Sequence, residues 1–173
     1  MKRNAESGFT LIELLIVVAI ISIIAAIAVP GLLRARMTGN ETSAIGSLKA
    51  TSSGQVAYSA SCGNNGYAST FAILGTPAPG TTQGFISADL GGVAAPQKSG
   101  YNFTLAAGAG SAAGPNDCNG TATITAYLST AVPQTFGTTG GRSFSVNAGN
   151  TIWQANAAAA PTEPFGAPAT PIQ

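Results

Sequence analysis

The side chains that most often carry out chemistry in proteins are scarce in this sequence. It contains no His, so the commonest general base and the commonest metal-ligating side chain are both missing. Its six Asp and Glu residues form no visible acid and base pair, no metal cluster and no nucleophile with its base. We therefore expect no enzymatic activity, no cofactor and no metal site.

The charge distribution also argues against nucleic acid as a partner. Seven Lys and Arg residues and six Asp and Glu residues leave a formal net charge of +1. The basic residues form no run longer than Lys2 with Arg3 and the nearby pair Arg34 and Arg36. A nucleic-acid surface normally needs a larger basic patch, so no such site is expected.

Cys62 and Cys118 are the two cysteines, and both lie in the polar part of the chain. They show neither a CxxC spacing nor a metal-ligand spacing. If this part is exported to an oxidising compartment, a single disulfide between them is expected. Two unpaired thiols are the alternative.

The element that must position any N-terminal chemistry is a long apolar segment. It runs from Phe9 to Val29 after a short polar leader, residues 1–8. At a helical rise of about 1.5 Å per residue, the segment is roughly 31 Å long and matches a hydrocarbon core of about 30 Å. Residues 9–29 are therefore predicted to be a transmembrane helix. Glu13 is the sole charged residue within them.

A second helical pattern follows the apolar segment. Residues 30–57 keep a helical spacing of apolar side chains, although Pro30 and several glycines weaken the pattern. We favour one long helix that continues into the head. The alternative is a fresh helix starting at Thr38, since Thr38 and Glu41 have the spacing of a capping box.

The remainder is predicted to be a small β-rich head, residues 58–156, followed by a tail, residues 157–173. Phe71 to Leu74 could form a short helix or strand. Alternating residues predict antiparallel strands that pack one face on the helix; these patterns begin near Tyr101, Thr123, Ser143 and Thr151. In the second pattern, Ile124, Ala126 and Leu128 are expected to share the apolar face. Residues 147–150 are expected to form a tight turn, and the Pro- and Ala-rich tail is expected to be disordered. The fold class is α+β.

Residues Gly8 to Glu13 read G-F-T-L-I-E. This string resembles the type III signal of type IV pilins and of the pseudopilins of type II secretion, in which a prepilin peptidase cuts after the Gly and methylates the new N-terminal Phe. The resemblance implies cleavage between Gly8 and Phe9 and N-methylation of Phe9. The family's Glu at the fifth mature position falls on Glu13, and its frequent Pro at the twenty-second falls on Pro30. Both residues are thereby implied to act in filament assembly.

The resemblance implies a structural subunit, made as a single-pass precursor in the bacterial inner membrane and assembled with copies of itself into a filament. Its implied partners are a prepilin peptidase and an inner-membrane assembly platform with a motor ATPase. The filament would be an extracellular pilus or a periplasmic pseudopilus. An acidic loop like the calcium site of the major pseudopilin is not evident, because Asp89 and Asp117 stand apart. This favours a pilin over a pseudopilin.

Two further alternatives belong to other classes of protein. In a secreted protein, Ala26 to Ala28 would form an A-x-A cleavage site that releases a soluble domain beginning at Val29. In a membrane-anchored binding module, the head would act alone. The mature N-terminus distinguishes the first alternative, and recovery from a fibre fraction distinguishes the second.

Overall fold

The computed structural model describes residues 9–172, so the predicted leader, residues 1–8, lies outside the described residues. The chain divides into two compact units, residues 1–36 and residues 37–173. A long helix and an antiparallel sheet make up the architecture, which confirms the α+β class.

The long helix, α1, runs over Leu11–Ser61 and contains Pro30. One continuous helix is therefore found, although it ends four residues later than expected. No fresh helix starts at Thr38. The carboxylate of Glu41 instead binds the backbone N–H of Gly141 and the guanidinium of Arg142, so it does not cap a helix at Thr38.

Two short helices follow in the second unit, α2 (Phe71–Leu74) and α3 (Ala88–Gly91). Phe71 to Leu74 is thus helical rather than extended. Thr70 caps α2 by accepting a hydrogen bond from the N–H of Ile73. Phe71 and Leu74 are completely buried, so this single turn attaches the loop to the core.

The main sheet has six antiparallel strands in the order β1-β2-β5-β6-β7-β8. Both edge strands are only two residues long, which gives each edge little free backbone for pairing with another chain. The strands β3 and β4 form a separate two-stranded hairpin. The strand bounds are β1 Gln97–Lys98, β2 Tyr101–Ala107, β3 Ala113–Asn116, β4 Ala122–Ile124, β5 Tyr127–Pro133, β6 Ser143–Asn147, β7 Ile152–Ala155 and β8 Thr170–Pro171.

One core lies between the second half of α1 and one face of the main sheet. From the helix, Ala44, Leu48 and Tyr58 are buried in it. From the sheet, the register aligns Phe103 with Ala131 and Ala131 with Phe144, so these three side chains form one row. The buried residues of this core are Ala44, Leu48, Tyr58, Cys62, Ala68, Phe71, Leu74, Leu90, Tyr101, Phe103, Leu105, Tyr127, Ala131, Phe144, Val146 and Ile152.

The prediction of which side chains face the core in the strand near Thr123 was wrong. The pattern breaks at residues 125–126, with Ile124 in β4 and Leu128 in β5. Within β5 the buried residues are Tyr127, Ser129, Ala131 and Pro133, whereas Leu128 is only half-buried. The buried face is thus the opposite of the expected one. Tyr127 is buried because its phenol ring packs edge-on against Tyr67, at 5.0 Å between centroids.

The tail was predicted to be disordered, but it is ordered, because hydrogen bonds and an aromatic contact hold it against the sheet. It lies along β6, where Ser143 and Ser145 donate hydrogen bonds to the carbonyls of Ala157 and Pro161, each at 2.6 Å. Further on, Phe165 stacks on Trp153 at 5.3 Å between centroids. The tail then supplies β8, which pairs with β7.

The sequence prediction for the turn at residues 147–150 is confirmed. The N–H of Asn150 donates to the carbonyl of Asn147 at 2.9 Å, and Asn150 adopts a φ of +59°. Asn tolerates this left-handed conformation better than most residues. The side chain of Asn150 also accepts a hydrogen bond from Ser52 on α1, so the turn is held against the helix.

Candidate functional site

The apolar segment of the first unit leaves its large side chains uncovered. Their exposed fractions range from 48% at Val17 to 79% at Phe9. Along the described chain, α1 is the one helix that is long and apolar enough to cross a membrane, and none of its most apolar window is buried. Apolar surface of this extent is unfavourable in water, so the segment requires lipid or other helices around it.

Thr10 and Glu13 form a reciprocal set of hydrogen bonds at the start of α1. The backbone N–H of Thr10 donates to Glu13 Oε2 at 2.9 Å, and the N–H of Glu13 donates to Thr10 Oγ1 at 3.3 Å. The Thr10 hydroxyl also donates to Glu13 Oε2 at 2.5 Å. This is a capping box, in which the two side chains bind backbone N–H groups that the helix itself leaves without partners.

The capping box fixes the carboxylate of Glu13 at the N-terminal end of the helix. A negative charge is favourable there, since the exposed N–H groups give this end a partial positive charge. All three hydrogen bonds use Thr10, and both that reach the carboxylate end on Oε2. Within residues 9–172 Oε1 accepts no hydrogen bond, so one oxygen is available for a donor from another molecule.

The other polar side chain of the apolar segment is satisfied locally. Ser22 donates its hydroxyl to the carbonyl of Val18 at 2.8 Å, one turn earlier on the same helix. A hydroxyl bonded in this way can stay in an apolar environment at little cost. Glu13 is therefore the group in this segment that most needs a partner.

The structure places three of the four N-terminal site residues predicted from the sequence. Phe9 lies two residues before α1, at the exposed end of the apolar segment; Glu13 lies in the first turn, and Pro30 lies within the helix. Gly8 lies outside the described residues. Thr10 was not among the predicted site residues, although its spacing from Glu13 is the T-x-x-E signature of a capping box.

The predicted disulfide between Cys62 and Cys118 is confirmed, with a Cα–Cα distance of 4.8 Å across a sequence separation of 56. It joins the end of α1 to the loop between β3 and β4. No free cysteine remains.

The carboxylates of the second unit all have partners that hold the fold together. Four such groups are described, and each contacts at least one donor: Glu41 with Arg142, Asp89 with Lys98, Asp117 with Tyr58, and Glu163 with Asn147. In the described part of the chain, no three His, Cys, Asp or Glu side chains come together in a way that could hold a metal ion.

Comparison with known proteins finds a family match in the N-terminal segment. A family model described as the prokaryotic N-terminal methylation motif matches residues 3–29. The chain is also 65% identical over 40 residues to the type IV wide pilus major component PilA4 of Thermus thermophilus. The N-terminal segment of the chain therefore resembles that of type IV pilins.

The similarity to this pilus component is confined to part of each protein. The aligned segment covers 23% of this chain and 30% of the Thermus thermophilus protein. No solved structure matches the chain. The resemblance to type IV pilins that G-F-T-L-I-E indicated is thus confirmed for the N-terminal segment, where the family model matches.

Proposed function

We propose that this type IV pilin-like chain is a structural subunit of a type IV pilus. It is made as a precursor, cut between Gly8 and Phe9, N-methylated at Phe9 and assembled through α1. The observation that carries the proposal is the methylation motif on a helix whose large apolar side chains, from Leu11 to Leu33, are all exposed. Such a helix suits two successive environments, the membrane and then a bundle of identical helices.

Glu13 supplies the proposed recognition between subunits. Cleavage before Phe9 creates a new amine that is positively charged at neutral pH, close to the start of α1. Glu13 Oε2 is engaged by Thr10 of the same chain, while Oε1 accepts no hydrogen bond from residues 9–172. We infer that Oε1 of one subunit accepts a hydrogen bond from the Phe9 amine of a neighbour, and that this ion pair sets the axial stagger between the two subunits. Within an apolar bundle this pair is poorly screened, so an unpaired charge would be strongly unfavourable.

Glu13 is compatible with insertion before assembly. It lies four residues after Phe9, about 6 Å along the helix axis, so it is near the edge of the hydrocarbon. A charged residue costs roughly 2.5 to 3.5 kcal/mol at mid-bilayer and less toward the interface. The precursor can therefore remain in the inner membrane until it is extracted into a filament.

The partners of this assembly follow from the proposed life cycle. They are the membrane, a prepilin peptidase, an assembly platform with its motor ATPase, and further copies of the chain. We infer a non-enzymatic role, since the four carboxylates described in the second unit serve structural contacts. A pseudopilin of type II secretion remains the second candidate, because the same N-terminal motif serves both kinds of filament. The named relative, a pilus component, favours the pilin.

Mechanical shearing of cells tests this function. Cells whose native copy is replaced by a tagged wild-type chain should release the cut subunit in a fibre fraction. The Gly8→Val variant should accumulate as uncut precursor in the membrane, because a side chain before the scissile bond obstructs a protease that reads the backbone. Ser7→Val, the same change one residue earlier, is the matched control and should be cut and released. Retention of the cut wild-type chain in the membrane fraction would contradict the pilus assignment.

A further inference from the structure

The disulfide junction contains a second link that does not involve sulfur. Tyr58 lies one helical turn before Cys62 on α1, and Asp117 directly precedes Cys118. The hydroxyl of Tyr58 donates to Asp117 Oδ2 at 2.7 Å, and both residues are buried. The same two segments that carry the cysteines are thus joined by a charge-assisted hydrogen bond.

Both partners of this hydrogen bond are held by other contacts. Asp117 Oδ1 accepts from the backbone N–H groups of Asn119 at 2.9 Å and Thr121 at 2.6 Å. The ring of Tyr58 packs edge-on against Phe85 at 5.3 Å between centroids. Neither side chain has to be ordered by the disulfide.

The backbone at the junction is linked in the same way. The N–H of Cys118 donates to the carbonyl of Cys62 at 2.8 Å, and the N–H of Cys62 donates to the carbonyl of Tyr58 at 2.9 Å. None of these bonds uses a thiol, so all of them can form before the cysteines are oxidised.

We propose that Tyr58 and Asp117 are positioning residues for the oxidation that forms the Cys62–Cys118 disulfide. In a flexible chain, two residues separated by 56 positions lie roughly 40 Å apart on average. The Tyr58–Asp117 hydrogen bond holds the two segments together in the reduced head, with the cysteine Cα atoms near their final distance of 4.8 Å. This role concerns maturation of the head and does not depend on filament assembly.

The oxidation needs a disulfide-bearing oxidant, such as glutathione disulfide. The thiolate of one cysteine attacks the oxidant, breaks its S–S bond and releases one thiolate. The thiolate of the second cysteine then attacks the mixed disulfide, forms the Cys62–Cys118 bond and releases the second thiolate. The two cysteines lose two electrons and two protons, and the oxidant is reduced. The second step is intramolecular, so it depends on how close the junction holds the two sulfurs.

The test is the effective concentration of the two thiols in the full-length chain in detergent. Wild type, Tyr58→Phe and Tyr101→Phe are equilibrated with mixtures of reduced and oxidised glutathione, alkylated and weighed by mass spectrometry. Tyr58→Phe keeps the ring and removes the hydroxyl. Tyr101→Phe is the matched control, since the buried Tyr101 also makes one hydrogen bond through its hydroxyl, a part-buried one to the carbonyl of Arg142 at 2.8 Å, and neither residue lies in the segments that carry the cysteines.

We expect the effective concentration to fall about tenfold in Tyr58→Phe, as for the loss of one hydrogen bond to a charged group. Tyr101→Phe should remain within about twofold of wild type, because the hydrogen bond that it loses does not join the two segments that carry the cysteines. A Tyr58→Phe value equal to wild type, or an equal fall in both variants, would overturn the proposal. If Tyr58→Phe does not fold, the double variant Tyr58→Phe, Asp117→Asn leaves no carboxylate buried without a donor. It is then measured against the same control, with the same two outcomes.

Discussion

Arg142 donates two hydrogen bonds to Glu41 Oε2, from Nε at 2.8 Å and from Nη2 at 2.6 Å, across a sequence separation of 101. Glu41 also accepts from the backbone N–H of Gly141 at 2.9 Å. The pair therefore joins α1 to the start of β6. The side chain of Glu41 is only 9% exposed and that of Arg142 is 34% exposed, so water screens the two charges poorly.

The first prediction compares this ion pair with the other one described in the head. Glu41→Gln should lower the free energy of unfolding by about 2 kcal/mol, because it leaves Arg142 partly buried without its carboxylate. Lys98→Met removes the Asp89 pair, which has the same 2.6 Å distance but side chains 37% and 48% exposed. That loss should stay below about 1 kcal/mol. Denaturant unfolding of the full chain in detergent measures both, and equal losses would refute the burial argument.

A second prediction separates the charge of Glu13 from its capping role. Glu13→Gln can still bind the backbone N–H of Thr10 and so retains the capping box, whereas Glu13→Ala loses both cap and charge. If the carboxylate attracts a neighbour's amine, both variants should be inserted and cut, yet both should give a low fibre yield in cells without the wild-type copy. A normal yield for Glu13→Gln would show that the cap, not the charge, is what assembly requires.

Two glycines of α1 should respond to alanine in opposite directions. A Cβ on Gly54 would lie 2.6 Å from the carbonyl oxygen of Phe85, whereas a Cβ on Gly46 would meet nothing within 4 Å. Gly54→Ala should therefore destabilise the head by roughly 1 to 3 kcal/mol. Gly46→Ala should stabilise it by about 0.5 to 1 kcal/mol, because alanine favours the helix. Thermal unfolding of both variants in detergent checks the signs, and the same sign for both would contradict the packing described at Gly54.

Three buried tyrosines make the head sensitive to alkali. Burial raises the pKa of Tyr58, Tyr101 and Tyr127, and the neighbouring carboxylate of Asp117 raises the pKa of Tyr58 further. Since each pKa is higher in the folded state, this contribution to stability is complete below the unfolded pKa of about 10 and is lost as pH rises through the folded pKa. In a Tyr67→Phe background, tyrosinate absorbance and loss of near-ultraviolet circular dichroism should therefore rise together. Ionisation at pH 10 with the head still folded would contradict the burial.

The N-terminal half was predictable because its signals are local. A run of apolar residues from Phe9 to Val29 and the G-F-T-L-I-E string need no tertiary information. The helix also continues past Gly39, since its second half gains stability from packing Leu48 and Tyr58 against the sheet. Packing of this kind outweighs the modest helix penalty of a few glycines.

The head was harder to predict because its side chains are small and many of its contacts are polar. The buried face of β5 includes Ser129, which alternation of apolar residues cannot identify. The tail has few large apolar residues, but the carbonyls of Ala157 and Pro161 accept hydrogen bonds from two buried serines of β6. Such long-range hydrogen bonds leave no periodic pattern in the sequence. Thr38 and Glu41 have the spacing of a capping box, but the carboxylate serves a tertiary ion pair, which the sequence does not reveal.

The central claim is that the chain is cut before Phe9 and reaches a filament in its mature form. Mass spectrometry of the N-terminal peptide from a sheared fibre fraction tests it most directly. The account predicts a peptide that begins with N-methylated Phe9, in fibres that contain the whole remaining chain. Fibres that contain uncut chain, or a soluble secreted product that begins at Val29, would contradict it.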